Sequence, residues 1–155
     1  EQSIVAPAVN YLFQLYELTG KILYLEEGKK QLAVLVLFNG HQPDFHMYEN
    51  AVRHWDGYWF GKYKNLGDTF PHYWSSLSGV AFREYEKITG ERSYGVKAEN
   101  SLRGVLSMIN SDGSASCAYV YPFMVNNVRC QYSDPWANDQ DWALYYYLKE
   151  GKNYD

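Results

Sequence analysis

Apolar residues recur with a helical period from the start of the chain. Ile4, Ala8, Leu12 and Leu15 make one stripe, and Val5, Val9, Phe13 and Tyr16 run beside it. Together they form a wide apolar face, which predicts a helix over residues 3–18. Thr19-Gly20 stops it, because glycine takes the left-handed conformation just past a helix C-terminus. A second helix is predicted from about Leu23 to Phe38, ending at Asn39-Gly40. Its second half is apolar all round, as in a helix buried on most sides. The pattern then returns. Trp74, Leu77, Ala81, Tyr85 and Ile88 form a stripe closed by Thr89-Gly90. A partner helix follows with Ala98, Leu102, Val105, Leu106 and Ile109 inward, ending in the turn Asn110-Ser111-Asp112-Gly113.

The two halves align at an offset of 70 residues: ELTGKILY (17–24) lies over KITGERSY (87–94), and Leu32 over Leu102. This reads as a repeated helical hairpin, over about 3–40 and 74–113. Such units bury their faces by stacking on one another. Residues 41–73 show no helical period and many turn formers. Downstream, SCAYVYPFMV and VRCQYS flank Asn126-Asn127 and predict a small β-hairpin at about 115–133. A last helix is expected over about 137–150. The predicted fold is mainly α, a single domain of stacked antiparallel helical hairpins with long loops and one β-hairpin.

Composition changes the picture in one respect. With 155 residues, 46% apolar and 21% charged, the chain suits one globular domain. Aromatic residues, however, make up 18% of it. The formal net charge is -4, so a phosphate-neutralising surface is not expected and nucleic acid is a poor partner. No apolar run is long enough to span a bilayer, and no signal peptide is visible. The chain begins at Glu1 without a methionine, which suggests a mature or trimmed piece of something longer. Cys117 and Cys130 form no metal-binding pattern. A two-residue turn at Asn126-Asn127 would set Cys130 opposite Phe123 rather than Cys117.

The aromatics gather with candidate chemistry. HWDGYWFGKYKNLGDTFPHYWS (54–75) holds Trp55, Trp59, Trp74, His54, His72, Asp56 and Asp68. Aromatic faces beside carboxylates suit a sugar, whose C–H faces lie on rings while its hydroxyls take directed hydrogen bonds. Glycoside cleavage needs one protonated and one ionised carboxyl group. Asp56, between Trp55 and Tyr58, fits the apolar environment that raises a pKa. Asp68, in the open turn Gly67-Asp68-Thr69, fits the solvated one. Structural roles compete with these. Asp68 precedes Phe70-Pro71 and would cap a helix with Pro71 at its first position. Trp74 heads an amphipathic stripe and reads more readily as core than as platform. Asp134, Asp139 and Asp141 read first as helix caps and second, with Trp136, as reserve site residues. His41 and His46 lack the HxxxH or HExxH spacing of a metal site, so neither metal nor cofactor is expected. Arg53 and Lys62 near the cluster would allow an anionic uronic sugar.

These residues carry a resemblance. The hairpins closed by x-T-G, the HWDGYWFGK and GDTFPHYWS segments and the ending SDPWANDQDWALYYYLK resemble bacterial six-hairpin glycosidases. They resemble in particular members found in polysaccharide-degrading gut Bacteroidetes. The resemblance implies an (α/α)6 toroid with sugar bound in a cleft of loops at one end, and a periplasmic or secreted location. It implies acid and base roles for Asp56 and Asp68, with His54, Trp55, Trp59 and His72 as substrate contacts; Trp74 and Arg53 are further substrate-binding candidates. Four helices and one more cannot close a ring of twelve. The chain therefore resembles a C-terminal portion, whose exposed inner face would be covered by missing hairpins or by self-association. The leading expectation is a glycoside hydrolase acting on a poly- or oligosaccharide. One alternative is a polysaccharide lyase with a His or Tyr base, His72 beside Tyr73. The other is a glycan-binding or structural helical module without catalysis.

Overall fold

The computed structural model describes residues 2–37, 68–72, 74–115, 118–121, 124–125, 128–129 and 140–150. Five helices dominate it: α1 (Gln2–Thr19), α2 (Ile22–Val36), α3 (Ser75–Thr89), α4 (Arg92–Gly104) and α5 (Gln140–Glu150). A 3-10 turn, Val105–Met108, extends α4. Among the described residues, two short antiparallel pairs accompany them. β1 (Asp68–His72) pairs with β2 (Ala118–Tyr121), and β3 (Met124–Val125) pairs with β4 (Val128–Arg129).

The repeat seen in the sequence is a repeat in atoms. At the first turn the Thr19 hydroxyl donates to Leu15 O at 2.6 Å and accepts from Lys21 N–H at 3.3 Å. At the second, Thr89 donates to Tyr85 O at 2.7 Å and accepts from Glu91 N–H at 3.2 Å. Gly20 and Gly90 have φ of 66° and 75°, and each N–H closes onto the carbonyl four residues back at 2.7 Å. Threonine satisfies one orphan carbonyl, and glycine supplies the left-handed residue that reverses the chain. The same device makes both hairpins.

The hairpins stack side by side. The rings of Phe13 and Tyr85, each five to seven residues before its turn glycine, have centroids 5.7 Å apart, so both turns point the same way. α1, α3 and α5 form one row, with α3 touching both neighbours, while α2 and α4 back α1 and α3. The main core joins Ala6, Val9 and Phe13 of α1, Leu32 and Leu35 of α2, Leu77, Ala81, Phe82 and Tyr85 of α3, and Ala98 of α4. Close approach of α1 and α2 depends on Gly28, where a Cβ would fall 2.5 Å from Phe13 Cε1. α3 is the most enclosed helix, with even Ser75, Ser76 and Ser78 buried. Trp74 stands at its N-cap and packs against both this core and a smaller one of Val105, Met108 and Ala143. It belongs to the packing.

Several expectations need correction. The second half of α2 is buried on one side only: Leu32 and Leu35 are inside, while Val34 and Leu37 are exposed. Ile4, Tyr11 and Leu18 of α1 are exposed too, as are Trp142, Tyr145 and Leu148 of α5, so the row ends in apolar surface on both sides. Asp68 neither sits in an open turn nor caps a helix; it begins β1, and α3 starts at Ser75. Pro71 is accommodated because β1 carries one extra residue between Thr69 and His72, and a bulge needs no N–H from proline. The expected β-hairpin exists over β3 and β4, with Val125 opposite Val128, but Ala118–Tyr121 leaves it to pair with β1. α5 begins at Gln140, with Asp141 exposed in its first turn, where a carboxylate complements the helix dipole.

Candidate functional site

The β1–β2 ribbon is the part of the fold that reaches the aromatic segment. It brings together residues about fifty positions apart: Asp68 lies opposite Tyr121, Thr69 opposite Val120, and His72 opposite Ala118. β1 touches both α3 and the 3-10 turn after α4, so the ribbon sits at the end of the second hairpin away from its Thr-Gly turn. Beneath it, Trp74 fixes the start of α3 between the two cores. The ribbon is therefore anchored to the most enclosed helix among the described residues, as a rigid scaffold holds a loop segment.

Of the predicted site residues, the structure places four. Asp68 and His72 are the two ends of β1, Trp74 is in the packing below it, and Asp141 is on α5. Arg53, His54, Trp55, Asp56, Trp59, Asp134, Trp136 and Asp139 lie outside the described residues, as do Tyr73, Cys117 and Cys130. The separation of the Asp56 and Asp68 carboxyl groups is among those quantities. Tyr121 lies opposite Asp68, a pairing that the sequence does not announce. Its strand read as the local partner of residues after Asn127, and nothing in its alternation names β1 as the partner.

A second concentration of charge lies inside the hairpin. Arg83 is 3% exposed. Its Nη1 pairs with Glu86 Oε2 at 2.6 Å, its Nη2 with Glu99 Oε2 at 2.9 Å, and its Nε donates to Glu150 O at 3.2 Å. Beside it Lys87 pairs with Glu84 and Glu150, both at 2.7 Å. Partial burial works against the Lys87 charge, yet its hydrogen bonds to Glu150 and Glu84 hold the ammonium above its ordinary pKa. This network ties the last residue of α5 to α3 and α4. Among the described residues, no group of three or more His, Cys, Asp or Glu side chains is arranged to hold a metal ion. No helix there is long and apolar enough to cross a membrane.

No family model matches the chain, and no curated protein matches it. A solved structure named as a polysaccharide lyase does match. It shares 53% identity over 98% of this chain, with a TM-score of 0.76. The chain is similar to a polysaccharide lyase in both fold and sequence. It spans 23% of that protein's length. The likeness supports a carbohydrate-active role, while the resemblance to six-hairpin glycosidases is not confirmed by it.

Proposed function

We propose that this chain is part of a carbohydrate-active enzyme that cleaves an acidic polysaccharide by β-elimination. The observation that carries the reading is the 53% identity, over nearly the whole chain, with part of a polysaccharide lyase. Elimination needs a base to remove the proton on C5 of a uronate and an acid to protonate the oxygen leaving C4. The C5–H pair becomes the C4=C5 double bond, the C4–O bond breaks, and no water is consumed. His72 is the candidate base, since a neutral imidazole accepts a proton near physiological pH. Tyr73, next to His72 in the chain, is the candidate acid. Arg53 would offset the charge that develops on the substrate carboxylate as C5 loses its proton. His54, Trp55 and Trp59 would hold the flanking sugars.

The apolar flanks of α1 and α5 fit further helical hairpins, as the toroid reading requires. Such packing would make the loop end of this chain one wall of a larger cleft. An enzyme acting on extracellular polysaccharide would work in the periplasm or outside the cell.

The test is an assay of the full-length protein on polyuronates, following the ultraviolet absorbance of the unsaturated product. His72→Ala and Tyr73→Phe are each expected to lower the rate by roughly 10²–10⁴-fold. Hydrolysis by Asp56 and Asp68 is the second reading. It predicts saturated products and a loss of rate in Asp56→Asn and Asp68→Asn. Binding without turnover on any glycan would identify a non-catalytic module instead.

A further inference from the structure

The extra residue in β1 decides which members of the ribbon stand with His72. In a regular strand Asp68 and His72, four positions apart, would share a face, and a carboxylate would be the natural partner of the imidazole. The register gives a different result. Residues directly opposite in an antiparallel pair share a face, and faces alternate along each strand. Thr69 lies opposite Val120 and His72 opposite Ala118, and these two partners are two positions apart in β2. Thr69 and His72 therefore stand on one face of the ribbon with Ala118 and Val120. Asp68, opposite Tyr121, stands on the other. Phe70 and Pro71 together span the single position of Tyr119, and this bulge is what parts His72 from Asp68.

A histidine base needs a particular partner. One ring nitrogen must be bare to take the proton, and the N–H of the other must be held so that the ring keeps that tautomer and orientation. A carboxylate acceptor does this but also raises the imidazole pKa, which favours the protonated ring that can take no further proton. A neutral hydroxyl selects the tautomer without adding a negative charge. On the His72 face of the ribbon, Ala118 and Val120 bring no hydrogen-bonding side chain, whereas Thr69 brings a hydroxyl. Same-face neighbours along a strand are about 7 Å apart at their Cα atoms, a spacing that suits adjacent side chains.

We propose that Thr69 is the positioning residue for His72, placed on its face of the ribbon by the bulge at Phe70-Pro71. The imidazole N–H donates to the Thr69 hydroxyl, and the other nitrogen is left bare for the proton on C5. That proton ends on the bare nitrogen, and the imidazolium so formed keeps its first N–H on Thr69. Asp68 and Tyr121, on the opposite face, take no part in orienting the ring. This assignment rests on the reading of His72 as the base of an elimination.

The experiment is nitrogen NMR of the His72 ring in the full-length protein, with the signals assigned by their loss in His72→Ala. Thr69→Val keeps the side-chain shape and removes the hydroxyl. It should move both ring nitrogens toward the values of a ring exchanging between tautomers, and lower kcat roughly tenfold at unchanged KM. Thr69→Ser should restore both. Asp68→Asn and Tyr121→Phe should leave the ring resonances in place. Resonances that ignore Thr69→Val overturn the assignment. Resonances that move with Asp68→Asn overturn it too, because a carboxylate then orients the ring, and this result decides even where Thr69→Val loosens the ribbon. Failure of the elimination reading is seen separately. Saturated products from the parent enzyme sink that reading while leaving the response of the ring to Thr69→Val intact, whereas unsaturated products with an unresponsive ring sink the positioning role alone.

Discussion

The two hairpins are turned by the same threonine and glycine, yet their interiors are opposite in character. In the first, Phe13 fills the space over Gly28, and Val9, Leu32 and Leu35 close the seam with no buried charge between them. In the second, the position 70 residues on from Phe13 is Arg83, which is nearly as buried and is held by two carboxylates and a backbone carbonyl. A shared turn fixes how a hairpin folds back. It leaves the interior free to differ. The first hairpin is a packing unit with apolar surface left over, whereas the second carries the ribbon and the tie to α5.

The largest effects test that difference directly. Phe13→Ala should cost about 3–5 kcal/mol, as truncation of a buried aromatic does. Arg83→Ala should cost about as much, but by leaving the Glu86 and Glu99 carboxylates without their cation. Urea unfolding of both variants measures this, and rescue separates them. Adding Glu86→Gln and Glu99→Gln to Arg83→Met should recover most of the loss, while no charge removal repairs Phe13→Ala. A cost below about 1 kcal/mol for Arg83→Ala would mean the buried cluster does not hold the hairpin.

Overpacking comes next. Gly28→Ala should destabilise by about 1–3 kcal/mol because the added methyl meets a confined ring. Gly95→Ala meets a carboxylate that can swing aside, so it should cost less, and its cost should shrink further in a Glu86→Gln background. Thermal melts of the paired variants are sufficient. Gly20→Ala and Gly90→Ala should each cost about 1–2 kcal/mol, since both require a left-handed alanine, and should agree with each other if the two turns are equivalent. Unequal values would break the equivalence.

The smallest effect concerns pH. The pKa of Lys87 is raised above 10.5 in the folded chain despite partial burial, because Glu150 and Glu84 bond to it. The folded state therefore binds this proton more tightly than the unfolded one. The stabilisation is fully present below the unfolded pKa and is lost as pH rises through the higher folded value. Tyr94 acts in the same direction: burial, then the Glu91 charge, raises it above 10.0. Lys87 is half exposed, so its pairs contribute within roughly 0–1 kcal/mol. Lys87→Met should flatten the alkaline limb of the stability curve, and an unchanged limb would remove Lys87 as its source.

Much of the architecture was legible because its signals are local. The Thr-Gly turns, the apolar stripes and the offset of 70 residues specify the hairpins. What misled were signals that record burial without naming the partner. Val34 and Leu37 are apolar, yet both remain exposed. Pro71 read as the start of a helix because proline suits that position, whereas the bulge in β1 suits it equally. The partner of β1 lies some fifty residues away, and strand alternation carries no address. Arg83 was visible in principle: set over Phe13 in the repeat, it puts a charge at a core position, and such a residue is buried only when paired. Of the ribbon, the sequence marked the segment around His72 as candidate chemistry but did not name the strand that pairs with it.

The central claim is that the chemistry carried by this chain is elimination. The measurement that tests it most directly is mass spectrometry of the products formed from a polyuronate by the full-length protein in heavy-oxygen water. The account predicts oligosaccharides one water lighter than hydrolysis would give, with no heavy oxygen incorporated and with formation dependent on His72. Products that carry heavy oxygen at the new end would contradict it and return the reaction to a pair of carboxylates.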